Sequence, residues 1–167
     1  YSQQLYKYFP GATIHAIEPH PSNFKKLSEN VASWAQCHNY GLGNTKGSFV
    51  LYDFANNDGS THASLHKEIF TGSSAKTVKH TIPVKTLDDI AKENGINHID
   101  FLKIDTEGHE FAVLQGAKRL LSEGKISVIQ FEFGGCHCFS RHFIYDFKEL
   151  LPNHDLYRLL PGHCLKL

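Results

Sequence analysis

A chain of 167 residues is long enough for one domain with a buried core and short for two. Lys and Arg together number 17, as do Asp and Glu, so the formal net charge is zero and nothing global attracts nucleic acid or an anionic membrane. No apolar stretch has the length of a membrane span, and the four cysteines are not spaced as a disulfide framework, so we expect a reducing, cytoplasmic setting.

Predicted helices and strands alternate along the whole chain. Helices are indicated where apolar residues recur every three or four positions, and strands where short apolar or alternating runs end at Gly, Pro or polar residues. In chain order the predictions are a helix over 2–9, a strand over 13–17, a helix from about 21, strands over 48–52 and 78–84, a helix from a Thr86 cap to Gly95, a strand over 99–104, a helix over 108–122, a strand over 126–133, a helix over 141–151 and a strand over 156–160. This order predicts a single α/β domain over residues 1–167, with a mostly parallel sheet and helices on both faces.

Acidic residues follow three of the predicted strands. Glu18 ends the first strand, Asp105 and Glu107 follow the fourth, and Glu132 lies at the end of the fifth, which we expect to be fully buried. Ligands of an open parallel sheet bind beyond the carboxyl ends of its strands. We therefore expect these carboxylates at the ligand-binding edge.

Each of these acids also has an ordinary structural interpretation. Glu18 can accept hydrogen bonds from ribose hydroxyls, and the alternative is an acid stabilised by a helix dipole. Asp105 and Glu107 can orient a substrate or a bound ammonium group, and the alternative is capping of the helix that follows. Glu132 is either a substrate-binding residue or a buried acid satisfied by core partners.

His109 is a candidate general base because the ordinary pKa of histidine lies near neutrality. Its alternative is a polar residue in a first helical turn. The segment Cys136-His137-Cys138, with His142 nearby, invites comparison with zinc ligands. However, the Cys-x-Cys spacing is unusual and no second pair lies at a finger-like distance, so we expect no metal there and a segment that lines the substrate pocket.

The run from Phe101 to Glu110, FLKIDTEGHE, resembles the central motif of the FkbM-type methyltransferases. Other segments resemble that family in the same order and spacing: Ala16-Ile17-Glu18-Pro19, Gly41-Leu42-Gly43, Lys85-Thr86-Leu87-Asp88-Asp89, Leu114-Gln115-Gly116-Ala117 and Glu132-Phe133. The likeness covers roughly 14–133 and fades towards the C-terminus. The set is specific, although each piece alone is weak.

The resemblance implies a Rossmann-like class I methyltransferase fold, S-adenosylmethionine as cofactor, and usually O-methylation of a hydroxyl-bearing small molecule or glycan. It implies that Glu18 holds the ribose, that Leu42 and Gly43 lie near the adenine, and that Asp105 lies near the methionine moiety and the transferred methyl group. By this likeness Asp105, Glu107 and His109 are the candidate catalytic residues.

One part of the family pattern has no match in this sequence. The family begins with a strand and a glycine-rich loop, and that strand lies in the sheet between the second and fourth strands. Its removal splits the sheet and leaves backbone groups unpaired. We therefore expect the natural protein to carry residues upstream that supply this strand and loop.

Two other functions compete with methyl transfer. An acid after a strand also serves an NAD-dependent oxidoreductase, but the glycine-rich fingerprint of that class is missing here. A non-catalytic interaction module on a degenerate methyltransferase fold is favoured by the unmatched first strand. We rank the module second and the oxidoreductase third. The sequence does not name the methyl acceptor, which we expect the loop over 55–74 and the segment after Gly135 to select.

Overall fold

The computed structural model describes residues 1–71 and 76–167, so residues 72–74 of the predicted acceptor-selecting loop lie outside the described residues. The helices are α1 (Ser2–Tyr8), α2 (Pro21–Val31), α3 (Leu87–Glu93), α4 (Glu110–Gln115), α5 (Lys118–Ser122), α6 (His137–Ser140) and α7 (Ile144–Leu150), with a short 3-10 helix at Lys67–Phe70. The strands are β1 (His15–Ile17), β2 (Gln36–His38), β3 (Gly41–Leu42), β4 (Gly47–Phe54), β5 (Thr77–Lys85), β6 (Ile99–Ile104), β7 (Ile126–Phe131), β8 (Tyr157–Leu160) and β9 (His163–Lys166). Within those two ranges, no helix has the length and apolar character needed to cross a membrane.

The strands pair in several small sheets. β1 and β2 are parallel, β6 and β7 are parallel, and β8 and β9 form an antiparallel pair. β5 lies between β3, which is parallel to it, and β4, which is antiparallel. The mixed α/β class is confirmed, but the described residues do not form one continuous Rossmann-like sheet. In the described residues β1–β2 and β6–β7 are separate pairs, and the strand expected between them stays a prediction.

The prediction of a fully buried strand over 126–133 is wrong. β7 ends at Phe131, and Glu132 beyond it is exposed. On the β6–β7 pair, Phe101 is 37% exposed and Val128 is 53% exposed. The physical reason is that β6 and β7 pair only with each other in the described chain, so neither is flanked on both sides as a central strand would be.

The apolar core lies between the β6–β7 pair and helices α3, α4, α5 and α7. One buried cluster consists of Leu87, Ala91, Ala117, Leu120 and Ile126. The next consists of Ile104, Val113, Leu114, Phe147 and Leu151. Leu42 packs against both clusters, so its side chain joins the β3 region to the core. Burial of these residues fixes the carboxyl ends of β6 and β7, where the candidate site begins.

The predicted helix over 108–122 is divided into α4 and α5. The backbone of Gly116 packs directly against the carbonyl oxygen of Gly43, where a Cβ atom has no room. Asp88 then accepts hydrogen bonds from two backbone N–H groups at the start of α5, at 2.8 and 3.1 Å. The apolar spacing continues through the break because both helices bury residues in the same core, so the sequence pattern did not reveal it.

Replacement of Gly116 by alanine is expected to destabilise the fold. The new methyl group would force β3 away from the α4–α5 junction, and overpacking of this kind costs about 1–3 kcal/mol. Urea unfolding followed by circular dichroism measures the change. Gly11→Ala is the matched control, since a Cβ there meets nothing within 4 Å and should change the free energy of unfolding by less than about 0.5 kcal/mol. Equal effects of the two substitutions would contradict the close contact.

Candidate functional site

Three of the predicted acids meet at the carboxyl ends of β6 and β7. The parallel register pairs Ile104 with Phe131, so the residues that follow them, Asp105 and Glu132, emerge side by side. Oxygen atoms of the Asp105, Glu107 and Glu132 carboxylates all lie within 4.8 Å of one another. We call these three residues the acid cluster.

Asp105 and Glu132 behave as a coupled pair of carboxyl groups. A hydrogen bond with Glu132, and then the ammonium group of Lys103 at 2.7 Å, hold the pKa of Asp105 below its usual value. The same hydrogen bond and the negative charge of Asp105 raise the pKa of Glu132 to about 7. Two carboxylates this close share a proton because both ionise together only at a cost. A carboxyl group that titrates near neutrality can accept or donate a proton at physiological pH.

Glu107 joins the cluster through an unusual backbone turn. Its φ angle is +51°, and that of Gly108 is +98°, so two consecutive residues are left-handed. A non-glycine residue in this region costs roughly 1 kcal/mol and needs support from its surroundings. The hydroxyl of Ser64 donates to the Glu107 carbonyl oxygen at 2.8 Å, and the thiol of Cys136 donates to the Glu107 carboxylate at 3.2 Å. Burial raises the pKa of Cys136 to about 12, so the thiol remains a donor.

Glu110 holds this turn in place, a role that the sequence analysis did not assign. Its carboxylate is fully buried and accepts the backbone N–H groups of Thr106 at 2.7 Å and Gly108 at 3.0 Å. His137 Nε2 lies 3.1 Å from the second carboxylate oxygen. Burial alone would raise the pKa of Glu110, but the nearby His137 ring and the backbone N–H groups outweigh it and lower the pKa. The signal in the sequence is an acid in a first helical turn, which can reach back to preceding N–H groups.

The Cys136-His137-Cys138 segment lies against the central motif. Cys136 donates to Glu107, His137 is buried beside Glu110, and Cys138 is exposed. The first two side chains therefore support two different glutamates of the turn. The role of the Cys136-His137-Cys138 segment in lining a substrate pocket stays a prediction.

His109 lies beside Gly43, at the start of α4. Its Nε2 atom is 3.0 Å from the position that a Cβ of Gly43 would occupy, and its ring is 5.7 Å from that of His66. Burial, and then the charge of His66, lower the pKa of His109 to about 4. A base this weak is poorly matched to proton removal near pH 7, so the role of His109 as general base stays a prediction that its pKa does not favour.

Glu18 lies at the end of β1, as predicted, next to the β3 segment. Its Oε1 atom accepts the backbone N–H of His20 at 2.8 Å, and its carbonyl oxygen accepts the Asn39 side-chain amide at 2.9 Å. Pro19 lies 3.7 Å from the Cβ position of Gly41. Burial raises the pKa of Glu18. The predicted ribose-binding acid and the predicted adenine-binding segment are therefore neighbours. Among the described residues, Glu18 forms no hydrogen bond with a member of the acid cluster.

Comparison with known proteins identifies the family. The sequence profile of the family described as "Methyltransferase FkbM domain" matches residues 1–157. The chain belongs to the FkbM methyltransferase family. The resemblance stated for roughly 14–133 is thereby confirmed, and the match extends beyond it to residues 1–157. The family favours methyl transfer over the oxidoreductase alternative.

The curated relatives of this FkbM-family chain carry methyltransferase names. "Methyltransferase sdnD" of Sordaria araneosa is 29% identical over 143 residues, which cover 70% of this chain and 55% of that protein. "Methyltransferase 1" of Beauveria bassiana is 30% identical over 126 residues, covering 65% and 50% respectively. The hexuronic acid methyltransferase AglP of Haloferax volcanii is 27% identical over 128 residues, covering 74% and 48%. The chain thus spans about half the length of these relatives. No solved structure gives a significant match.

Proposed function

We propose that this FkbM-family chain belongs to an S-adenosylmethionine-dependent methyltransferase that methylates a hydroxyl oxygen of a small molecule or glycan. The family supports methyl transfer. The observation that carries the choice of acceptor is the Asp105–Glu132 pair, which places a carboxyl group with a pKa of about 7 in the predicted ligand-binding edge. A hydroxyl must lose its proton when its oxygen is methylated, whereas an already ionised acceptor needs no base.

Glu18 and the acid cluster fit the hydrogen-bonding groups and the charge of the proposed cofactor. In the part of the chain that the structure describes, Glu18 Oε1 accepts from His20 and Oε2 has no hydrogen bond, so Oε2 can accept from a ribose hydroxyl. The acid cluster supplies negative charge to a cationic ligand, with Lys103 as its close counter-ion. When bound, S-adenosylmethionine supplies an electrophilic methyl group on a sulfonium. The assignment of particular residues to each part of the cofactor, such as Leu42 and Gly43 to the adenine, remains part of this proposal.

The acid cluster then divides the chemical work among its members. Glu132 accepts the proton of the acceptor hydroxyl, because its pKa lies near the working pH. Asp105 stays ionised beside Lys103 and keeps the Glu132 pKa high. Glu107, fixed by the left-handed turn, orients the acceptor. Alignment of the two reactants is the larger contribution to the rate in reactions of this kind.

The loop that follows β4 supports a role in acceptor choice. Ser64 donates to the backbone of Glu107, and His62 Nδ1 lies 3.6 Å from the Glu107 carboxylate while its side chain is 64% exposed. Both belong to the loop predicted to select the acceptor, and both contact the acid cluster. One relative is named for a hexuronic acid, a sugar acid, which supports a glycan as the acceptor.

Binding of S-adenosylhomocysteine to the full-length protein, measured by isothermal titration calorimetry, tests the proposal. We expect Glu18→Ala to weaken binding by about 10- to 100-fold, the value of a lost hydrogen bond to a charged group. Glu29→Ala, an exposed acid on α2, is the matched control and should leave the affinity unchanged. Equal affinities for the native chain and Glu18→Ala would remove Glu18 from the cofactor site. No binding to a folded sample would favour the non-catalytic interaction module instead.

A further inference from the structure

Two histidines and an aspartate converge beside the N-terminus of α2, away from the acid cluster. The Nε2 atoms of His20 and His80 and the Oδ1 atom of Asp58 all lie within 4.8 Å of one another. Asp58 Oδ1 is 2.9 Å from His20 Nε2 and 2.7 Å from His80 Nε2. We propose that His20, Asp58 and His80 form a binding site for one divalent transition-metal ion of the zinc class.

The three side chains come from separate parts of the fold. His20 immediately precedes α2, Asp58 lies in the loop after β4, and His80 lies in β5, so 38 residues separate His20 from Asp58 and 22 separate Asp58 from His80. No short motif in the sequence contains them. A bound ion would therefore add a further link between the start of α2, β5 and the loop that follows β4.

The loop that carries Asp58 is fixed in advance. Asp53 is fully buried and accepts the backbone N–H groups of Gly59 at 2.8 Å and Ser60 at 2.9 Å. Asn23 of α2 donates to the Ser60 carbonyl oxygen at 3.4 Å. These bonds hold the residues next to Asp58 and restrict where its carboxylate can lie. A ligand held in this way loses less conformational entropy when it binds an ion.

The donor set matches the chemistry of zinc. Two neutral imidazoles and one carboxylate are typical of open zinc sites, which keep a further position for water. His20 is completely buried, whereas the side chains of His80 and Asp58 are 21% and 39% exposed, so the open position would face solvent. Asp53 Oδ2, at 3.7 Å from His20 Nε2, adds negative charge near the ion.

Only a small movement would admit the ion. Bonds of about 2.0 Å in a tetrahedral site place neighbouring ligand atoms about 3.3 Å apart. The Asp58 oxygen would therefore withdraw from each imidazole by roughly half an ångström, which a partly exposed side chain can do. The His20 backbone N–H also donates to Glu18, so the ion would fix the residue that orients the predicted ribose-binding acid. The metal site itself does not depend on the proposed methyl transfer.

Metal titration tests the site without any cofactor or substrate. The chain, freed of metal with a chelator and dialysed, is titrated with Zn²⁺ by calorimetry and with Co²⁺ by visible absorption. We expect one ion per chain and intense Co²⁺ bands typical of low coordination number. His80→Ala and Asp58→Asn should each weaken Zn²⁺ binding by on the order of 100-fold. Zn²⁺ should raise the Tm of the native chain and leave that of His80→Ala unchanged.

His98→Ala is the matched control, because His98 is a partly exposed histidine that bonds to Ser127 and lies outside the triad. It should bind Zn²⁺ as the native chain does. Circular dichroism confirms that each variant is folded. Asp58→Asn keeps the side-chain shape, so it tests the site even if His80→Ala fails to fold. Unchanged Zn²⁺ affinity in both triad variants, or loss in His98→Ala equal to theirs, would overturn the proposal and leave the triad as a hydrogen-bonded cluster.

Discussion

In the native chain Glu132 should titrate near pH 7, and Asp105→Asn should return its pKa towards the ordinary value of 4.5. The hydrogen bond with Asp105 and the charge of that carboxylate cause the elevation, and asparagine keeps the shape while removing the charge. Carboxyl ¹³C chemical shifts of a glutamate-labelled sample, followed through pH 3 to 9, report the titration of Glu132 directly. Because the two groups are coupled, the native curve belongs to the pair and should fit two apparent pKa values.

Asp100→Asn is the control for this experiment. Asp100 lies on β6, the strand that Asp105 follows, but its side chain is 99% exposed. Its replacement should therefore leave the pKa of Glu132 unchanged. A native Glu132 that titrates near 4.5, or one unaffected by Asp105→Asn, would contradict the shared proton. Under the proposed function, a base acts only when deprotonated. The native rate of methyl transfer should therefore rise as the pH passes about 7, and the rise should move to lower pH in Asp105→Asn.

Glu110→Ala is expected to destabilise the chain by about 3–5 kcal/mol. The substitution leaves the buried N–H groups of Thr106 and Gly108 without acceptors and His137 without its partner. Urea unfolding gives the free energy difference. Glu123→Ala is the control, since Glu123 is 46% exposed and pairs with Arg119 on the helix surface, where such pairs contribute under about 0.5 kcal/mol.

The same residue makes stability depend on pH with a definite sign. The pKa of Glu110 is lower in the folded chain than the ordinary value of 4.5. The stabilisation is therefore fully present above about pH 4.5 and is lost as the pH falls below it towards the folded-state pKa. Glu110→Ala should show a shallower loss of stability over this acidic window. Parallel curves for the native chain and the variant would mean that Glu110 is not ionised in the fold.

The sequence by itself determined the order of the longer elements and the places where acids follow strands. The capped start of α3 was predicted from Thr86 and Asp89, and the Thr86 hydroxyl does accept the Asp89 N–H, at 3.1 Å. The carboxyl-end positions of Glu18, Asp105 and Glu132 also agree with the structure, since local apolar runs define where strands end. The elements that were not predicted have only two to four residues, too few for a periodic pattern: β2, β3, β9, α6 and the 3-10 helix at Lys67–Phe70.

Only the tertiary structure decided how these residues act on one another. The elevated pKa of Glu132 requires Asp105 beside it, and the lowered pKa of His109 requires burial against the β3 segment. The break between α4 and α5 lies where the carbonyl of Gly43, far away in the chain, packs against Gly116. Sequence periodicity reports which face of an element is buried, but it carries no information on which residue lies opposite. The pKa shifts and tertiary contacts of this protein arise from pairs of residues that only folding brings together.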